Sequence, residues 1–354
     1  MASIAKTPAG KFRVQWREEG RQRQKNFASH AEAKKFAAAL ELSPHKRRSM
    51  ISVGDWIANY RDTEAVKKKG ASSEIFRLNR FITRPFASLK LSDITVKDLQ
   101  KYIDERCLEP SRKYSSTVSP GTIAREVTTL SAVFSKAIKA GLIETNPASG
   151  LVLPKPPEHR ERVASEEDIE KLMLASGWDG ESIPVTLQQL VMAAFLFACR
   201  TGMRSGEILR IEEAWIQGRT IHLPAAATKT NCKRDIALSS EALRLLDLVR
   251  QRGDQPQIFG ALSDQTRDAN WRKIRDRADL GPVTDSEGRL IQEGLNFHDS
   301  RATFCTWAAS PNPKTGAPRL DVLALARQTG HKDLKMLQKY YRASSEAIAK
   351  QLDE

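Results

Sequence analysis

The sequence predicts a multidomain α+β protein in three parts: a small β-sheet plus helix N-terminal domain, an all-α helical domain, and a mainly α domain with a small β-hairpin or sheet. Apolar residues near the N-terminus alternate with period two, whereas from residue 53 onward they recur at helical spacing. Segments that contain proline separate these regions. The chain has 354 residues, 40% of them hydrophobic, which is enough for two or three packed domains.

The first predicted domain covers residues 1–48. Residues 11–17 alternate between apolar and polar side chains and predict a half-buried strand, and residues 18–20 favour a turn into a second, polar strand at 21–27. Ser29-x-x-Glu32 has the pattern of a capping box and predicts one helix behind the sheet. The apolar face of the first strand consists of Phe12, Val14 and Trp16.

The positive charge of the chain is concentrated at its front. Residues 1–48 contain twelve Lys and Arg against four Asp and Glu, a net charge of +8, and residues 51–150 contain sixteen against eleven, a net charge of +5. The rest is close to neutral within a total of +14. A cationic sheet can enter a DNA groove or track phosphates; the alternative is a basic face that only keeps the domain soluble. The candidate DNA-binding residues are Arg13, Arg17, Arg21, Arg23, Lys25, Lys67, Lys68 and Lys69.

The second predicted domain covers residues 49–150 and follows a linker at 42–50. Apolar stripes at helical spacing predict four helices, of which the third begins at the capping box Thr95-x-x-Asp98 and the fourth at Ser119-Pro120. By its pattern alone, a charged helical bundle of any purpose fits this segment. The stripes are Val53, Trp56, Ile57 and Tyr60; Ile75, Leu78 and Ile82; Leu99 and Ile103; and Ile123, Val127, Leu130, Phe134 and Ile138.

A stiff, proline-rich linker at residues 151–164 leads to the last predicted domain, residues 165–354. Ser165-x-x-Asp168 is a capping box for its first helix. Residues 187–199 are apolar almost all round and predict a buried core helix that gives Arg204 a rigid mount. Strands are predicted at 215–223 and 234–238, on either side of a turn at 228–231.

Composition excludes several classes of protein. No segment approaches the ~18 uninterrupted apolar residues of a membrane span, and the N-terminus has no apolar signal core. We therefore expect a protein of the bacterial host cytoplasm that associates with DNA and has no membrane partner. The four cysteines form no Cys-x-x-Cys pair, which argues against a zinc site and against a disulfide framework. Buried or idle thiols are the simpler expectation.

Residues equipped for phosphate chemistry gather toward the C-terminus. A phosphodiester under attack becomes a five-coordinate dianion, and a site without metal needs fixed cations for it, best supplied by planar guanidinium groups. His298 and Arg301 are three residues apart and would share one face of a helix. We predict no metal, because guanidinium neighbours would repel the ion, and no cofactor. The candidate residues are Arg204, Glu207, His298, Arg301, His331 and Tyr340.

Three motifs in this region resemble those of the tyrosine recombinase (phage integrase) family. Thr201-Gly-Met-Arg204-Ser-Gly-Glu207 is similar to the first arginine box, and His298-Asp-Ser-Arg301 is similar to the second. Gly330-His331, followed nine residues later by Tyr340, is similar to the third. The resemblance is specific over roughly residues 160 to 342, and upstream it rests on layout.

The resemblance implies metal-independent transesterification. Tyr340 would attack the scissile phosphate and leave a 3′-phosphotyrosine bond with a free 5′-hydroxyl, so that rejoining needs no ATP. Arg204 and Arg301 would hold the non-bridging oxygens. His298 and His331 would donate hydrogen bonds or help to deprotonate the tyrosine, and Glu207 would orient Arg204. Lys229 would protonate the leaving 5′-oxygen, with Lys233 as the alternative candidate for that role.

The resemblance also implies partners. The expected protein is an integrase for a phage or other mobile element, with an arm-type DNA-binding domain, a core-site DNA-binding domain and a catalytic domain. It would act on double-stranded DNA at core-type and arm-type sites as a homotetramer, with DNA-bending and directionality accessory proteins as further possible partners. The alternatives are a chromosome-dimer resolvase, a type IB topoisomerase-like enzyme and a non-catalytic DNA-binding regulator.

The sequence departs from the family pattern in three places. Ser300 and Thr329 stand where leucine is usual, and both are expected to be packing positions. The stretch between Arg301 and His331 is longer than usual through 310–318, an expected surface loop.

Tyr340 is followed by a second tyrosine. On a helix, the side chains of neighbouring residues point about 100° apart, so only one tyrosine can face the phosphate. The other should pack inward or lie at the surface. For the tail after residue 342, a short helix on a neighbouring protomer and a frayed terminus are both open.

Overall fold

The computed structural model shows a multidomain α+β protein. The chain divides into two compact units, one formed by Met1–Arg112 and Ser116–Pro157 and the other mainly by Glu158–Glu354. The finer division, with boundaries at 48, 150 and 164, stays a prediction. The residues that the structure describes are 3–8, 10–18, 21–42, 51–111, 116–155, 162–228, 231–253 and 256–341.

The first unit begins with a three-stranded antiparallel sheet backed by one helix. Its strands are β1 (Ser3–Lys6), β2 (Phe12–Glu18) and β3 (Arg21–Phe27), in that spatial order, and the helix is α1 (His30–Leu42). Val14 of β2 is fully buried against Ala33 and Ala37 of α1. The two predicted strands and the helix are confirmed. β1 was not predicted, because Ile4 is its one large apolar residue and a single residue shows no alternation.

Four helices form a separate apolar core in the first unit. Thr95 caps the third of them with both halves of the predicted capping box, and the Ser119 side chain caps the fourth. The predicted stripes face this core, where Leu78, Leu99 and Leu130 are fully buried; the prediction is wrong at Ile138, which is exposed and lies outside the core. The helices are α2 (Val53–Thr63), α3 (Ala71–Ile82), α4 (Val96–Leu108) and α5 (Pro120–Lys139).

The second unit is mainly helical and is built around α7 (Leu187–Thr201). This helix is buried almost all round, as predicted, and Phe195 within it stacks on Trp271 with ring centroids 4.4 Å apart. No helix within the described ranges is long and apolar enough to cross a membrane. The helices are α6 (Glu166–Ser176), α7 (Leu187–Thr201), α8 (Ser205–Ile208), α9 (Ser240–Arg250), α10 (Asp264–Arg277), α11 (Asp299–Ala309), α12 (Val322–Thr329) and α13 (Lys335–Gln338).

Two small antiparallel sheets complete the second unit. The prediction of one strand over 215–223 is wrong: Gly218 has φ of +55°, reverses the chain and divides the segment into two short strands. The predicted strand at 234–238 is confirmed as the third member of that sheet, and a further hairpin was not predicted. The strands are β4 (Ile216–Gln217), β5 (Thr220–Leu223), β6 (Arg234–Ala237), β7 (Val283–Thr284) and β8 (Leu290–Gln292).

Candidate active site

The turn after α7 places the first arginine. Gly202 ends α7 in the left-handed conformation, φ +65°, and a side chain there would overlap the ring of Phe304. Arg204 follows at the N-cap of α8. Its backbone N–H donates to Glu207 Oε2 at 3.0 Å and its Nη1 donates to Glu207 Oε1 at 3.1 Å. The expected pairing of these two side chains is therefore present, and the carboxylate fixes the guanidinium.

Glu207 also binds a second arginine, which sequence reasoning missed as a site residue. Arg234 Nη2 donates to Glu207 Oε2 at 2.6 Å, and Arg234 Nη1 donates to the Thr329 carbonyl at 2.9 Å. Arg234 begins β6 on the same face as the buried Ile236. Alternation along this strand was the signal that could have found it, because period two places position 234 on the inward face.

Arg301 lies at the third position of α11 and is buried. Its Nη1 donates to the Gly202 carbonyl at 2.5 Å and its Nη2 to the Thr329 carbonyl at 2.6 Å. Within the described part of the chain it forms no ion pair. Burial, reinforced by the positive charges of Arg204 and Arg234, lowers the pKa of Arg301 to about 10, so the group stays protonated at neutral pH.

His331 follows the left-handed Gly330, φ +72°, where a side chain would overlap the guanidinium of Arg234. Its Nδ1 lies 2.7 Å from Thr329 Oγ1. Burial first, and then the nearby positive charge of Arg301, lowers the pKa of His331 to about 4. The imidazole is therefore neutral at pH 7 in the free protein.

His298 occupies the N-cap position of α11, one residue before the helix begins. The prediction that it shares a helix with Arg301 is thus slightly wrong, although the Arg301 N–H still donates to the His298 carbonyl at 3.1 Å. The side chain is exposed, and its charge contributes to lowering the pKa of His331. His298 therefore lies at the solvent-exposed edge of the group formed by Arg204, Arg234, Arg301 and His331.

Tyr340 and Tyr341 lie after α13 and not on a helix, which corrects the premise of the predicted 100° separation. The Tyr341 hydroxyl donates to the Leu320 carbonyl at 2.8 Å, and burial raises the pKa of Tyr341 to about 12. The second tyrosine was expected either to pack inward or to lie at the surface, and the structure shows it half-buried, with its hydroxyl bonded to the backbone. Tyr340 is half-buried against the cluster of α11, α12 and α13, with Lys339 Nζ 5.2 Å from its ring centre.

A cavity of about 890 Å³ opens between β5, β6 and α12. Lys233, Arg234 and His331 line it, and Lys233 is exposed. Lys229, the predicted general acid, lies outside the described residues. None of the four cysteines, all of which lie in described ranges, forms a disulfide, and burial raises the pKa of Cys199 to about 12, so that its thiol stays protonated. No group of His, Cys, Asp and Glu among the described residues has the arrangement of a metal site.

The candidate DNA-binding residues of the first unit fall into two groups. Arg13, Arg23 and Lys25 lie on β2 and β3; Arg23 and Lys25 are exposed, and Arg13 Nε donates to Asn26 at 3.2 Å. The backbones of Arg17 and Arg21 continue these strands, and their side chains lie outside the described set. The second group, all exposed, is Lys67, Lys68 and Lys69.

Lys68 forms an ion pair and a hydrogen bond within the helical bundle. Its ammonium lies 2.6 Å from Glu74 and 2.8 Å from the Tyr60 hydroxyl. Desolvation works against the charged form, but these hydrogen bonds outweigh it and raise the pKa of Lys68. Of the three lysines, Lys68 is thus the least suited to contact DNA, and the roles of all these residues stay predictions.

Among the described residues, the cluster combines three guanidinium groups, one carboxylate and one neutral imidazole. Three positive charges against one negative charge make this cluster suited to hold an anion.

Comparison with known proteins identifies the family. Residues 162–347 match the Phage integrase family, and residues 55–151 match the Phage integrase SAM-like domain. The chain is 34% identical over 356 residues to a "Putative integrase/recombinase" of Haemophilus influenzae, covering 97% of this chain and 87% of that one. It is 28% identical to the "Shufflon-specific DNA recombinase" of Escherichia coli, covering 88% and 74%. The chain belongs to the phage integrase family and is a site-specific tyrosine recombinase.

Solved structures show the same fold at lower identity. A lambda integrase dimer bound to a COC′ core site has a TM-score of 0.61 at 18% identity, covering 97% of this chain and 96% of that chain. The Tn1549 transposon integrase in complex with a circular intermediate DNA also has a TM-score of 0.61, at 16% identity, covering 86% and 99%. The fold therefore extends across most of the present chain.

Proposed function

We propose that this recombinase cuts and rejoins double-stranded DNA with Tyr340 as its nucleophile, and that it integrates and excises a phage or other mobile element. The observation that carries the assignment of the site is the cluster of Arg204, Arg234 and Arg301: Glu207 pairs with the first two, whereas Arg301 is held by backbone carbonyls. Three positive charges against one negative charge leave an excess of two. A phosphodiester under attack carries two negative charges and matches that excess.

Two of the arginines are positioned to hold the phosphate. Arg204 is half-buried, fixed by Glu207, and Arg301 is held by two backbone carbonyls. Backbone carbonyls orient a guanidinium without neutralising it, so the full charge of Arg301 remains for the non-bridging oxygens. Because both groups are fixed before substrate binds, little reorganisation opposes the transition state.

The chemical step exchanges one phosphodiester bond for another. Tyr340 Oη forms a bond to phosphorus, the bond from phosphorus to the 5′-oxygen breaks, and the product is a 3′-phosphotyrosine with a free 5′-hydroxyl. The tyrosine proton passes to a base, for which the neutral His331 is suited, and the leaving oxygen receives a proton from Lys229. Reversal of these transfers rejoins a strand, so no cofactor is required.

The partners follow from charge and from the relatives. The basic residues of 1–48 would contact arm-type sites and those of 49–150 core-type sites, with the linker 151–164 lying against DNA and 165–354 forming the catalytic domain. A lambda integrase tetramer bound to a Holliday junction shares the fold with a TM-score of 0.58, which supports a homotetramer on DNA. DNA-bending and directionality proteins would act with this assembly. A regulator that lost its chemistry is less well supported, because the anion site is intact.

The test of the nucleophile compares two adjacent tyrosines. Tyr340→Phe should bind DNA normally but form no covalent adduct on a nicked substrate, which traps the cleaved strand. Tyr341→Phe is the matched control: it loses one hydrogen bond to Leu320, at a cost of about 0.5–1.5 kcal/mol of stability, and should still form the adduct. Peptide mapping of the adduct identifies the modified residue. An adduct at Tyr341, or one formed by Tyr340→Phe, would refute the assignment.

A further inference from the structure

Two short contacts surround the hydroxyl of Thr329. Its Oγ1 lies 2.6 Å from the Leu325 carbonyl oxygen, one turn earlier in α12, and 2.7 Å from His331 Nδ1. Both separations are those of hydrogen bonds, so each contact must contain a proton. Thr329 is also the position at which the sequence departs from the leucine usual in the family.

Counting protons assigns the tautomer of His331. A carbonyl oxygen has no proton, so the Thr329 hydroxyl must donate to Leu325. A hydroxyl has only one proton, and the second contact must therefore be filled by a proton on Nδ1 of the ring. In a neutral imidazole, Nε2 then carries no proton and is an acceptor.

The charged groups around His331 bear on whether the ring is protonated, and they are compatible with either neutral tautomer. Arg301 Nη2 lies 3.4 Å from Nε2 and 3.5 Å from Nδ1, and a guanidinium can only donate. Nη2 approaches the two ring nitrogens almost equally and donates to the Thr329 carbonyl at 2.6 Å, so the tautomer is set by the Thr329 hydroxyl and not by this contact. Burial first, and then the positive charges of Arg301, Arg204, Arg234 and His298, lower the pKa of His331 and disfavour the imidazolium.

We infer that Thr329 is a positioning residue whose hydroxyl holds His331 as the Nδ1–H tautomer, leaving Nε2 as the basic nitrogen of the active site. This inference rests on the proposed function, in which Tyr340 must lose a proton. The Tyr340 O–H bond breaks, its proton passes to Nε2, and the resulting imidazolium keeps its Nδ1–H bond to Thr329. The Thr329 backbone plays a separate part, because its carbonyl accepts from Arg234 and Arg301.

Nitrogen NMR of the free protein tests the tautomer without any reference to activity. The chain has six histidines, so ¹⁵N-histidine labelling gives few signals, and His331→Gln identifies the one that belongs to His331. The wild type at pH 7 should show the Nδ1–H tautomer, and Thr329→Val, which keeps the shape and the carbonyl, should shift the ring toward Nε2–H. An Nε2–H tautomer or an imidazolium in the wild type would overturn the inference, whatever the enzyme is later found to do.

Single-turnover cleavage tests whether the hydroxyl acts through His331. Thr329→Val should slow adduct formation about tenfold, the effect of one hydrogen bond, with unchanged DNA affinity, and Thr329→Ser should stay within about twofold of wild type. In a His331→Ala background, Thr329→Val should cause no further loss. An equal loss in both backgrounds, or a fully active Thr329→Val, would contradict the role in positioning, whereas an inactive wild type would contradict the proposed function instead.

Discussion

Arg234 has a largely buried side chain that joins two parts of the candidate active site by hydrogen bonds. It bridges Glu207, which holds Arg204, and the carbonyl of Thr329, two residues before the candidate catalytic residue His331. Its Nε is the one buried side-chain nitrogen or oxygen in the described ranges that has no hydrogen-bond partner. Burial lowers the pKa of Arg234 and Glu207 opposes that shift. The guanidinium thus connects β6 to the turn at Gly330 at some energetic cost.

Arg234→Lys should separate this bridging role from simple charge. An ammonium keeps the positive charge but cannot span both acceptors as the planar guanidinium does, so Glu207 or the Thr329 carbonyl loses a partner. We expect a loss of about 1–3 kcal/mol in stability and a drop of at least tenfold in single-turnover cleavage, with DNA affinity preserved. Thermal unfolding and adduct formation measure the two effects.

The control for this substitution is Asp235→Asn, the next residue of β6, whose side chain is exposed on the opposite face and pairs with His222. It should change neither quantity appreciably. Wild-type cleavage by Arg234→Lys would show that charge alone is sufficient at this position.

At the scale of elements, the helical bundle depends on one buried carboxylate. Glu126 of α5 is fully buried and accepts hydrogen bonds from Arg80, Arg106 and Tyr102, which come from α3 and α4. Burial alone would raise the pKa of Glu126, but the hydrogen bonds and positive charges outweigh it and hold the pKa below its usual value. The three helices are therefore joined by an ionised group.

The stability of the bundle should consequently fall in acid. A carboxyl whose pKa is depressed in the folded state stabilises it above the unfolded pKa of about 4.3, and this contribution is lost as pH falls through the folded value. Glu126→Gln should cost about 3–5 kcal/mol at neutral pH and remove much of the acid dependence. Hydrogen exchange of the α5 amides measures both. Asp62→Asn, at an exposed ion pair with Arg61, serves as the control and should have no such effect; identical acid profiles for Glu126→Gln and wild type would contradict the assignment.

At the scale of the whole molecule, charge and chemistry occupy different parts of the chain. The net charge of +8 lies in residues 1–48, whereas the candidate catalytic residues lie between 204 and 340. Electrostatic affinity for DNA and cleavage of DNA should therefore be separable by truncation.

Deleting residues 1–48 should abolish binding to arm-type sites, and with it recombination, while a core-site suicide substrate is still cleaved. The slope of log K against log salt should fall by about one unit for each phosphate-contacting Lys or Arg removed. In the full chain, Arg23→Gln should reduce the slope, and Lys68→Gln should not, because that ammonium is held by Glu74. A truncated protein that integrates as well as the complete one would disprove the arm-binding role.

Much of the fold was determined by sequence features that act locally. Capping at Thr95, Ser119 and Ser165 depends on residues three apart, and the structure confirms all three. The buried helix α7 follows from its continuous apolar composition. β1 and the β7–β8 hairpin escaped prediction, because short strands are stabilised by pairing partners and not by their own pattern.

The candidate site divides in the same way. The motifs around Arg204, Arg301 and His331 could be recognised in the sequence, since each is a short run of residues with its own chemistry. Only the tertiary structure decided that Arg234 joins them, that Thr329 bonds His331 Nδ1, and that Tyr341 turns inward. The hydrogen bond from Arg301 to Gly202 joins residues 99 positions apart in the sequence, and the one from Arg234 to Thr329 joins residues 95 positions apart. Contacts between residues so far apart depend on how helices and strands pack, and no local pattern encodes them.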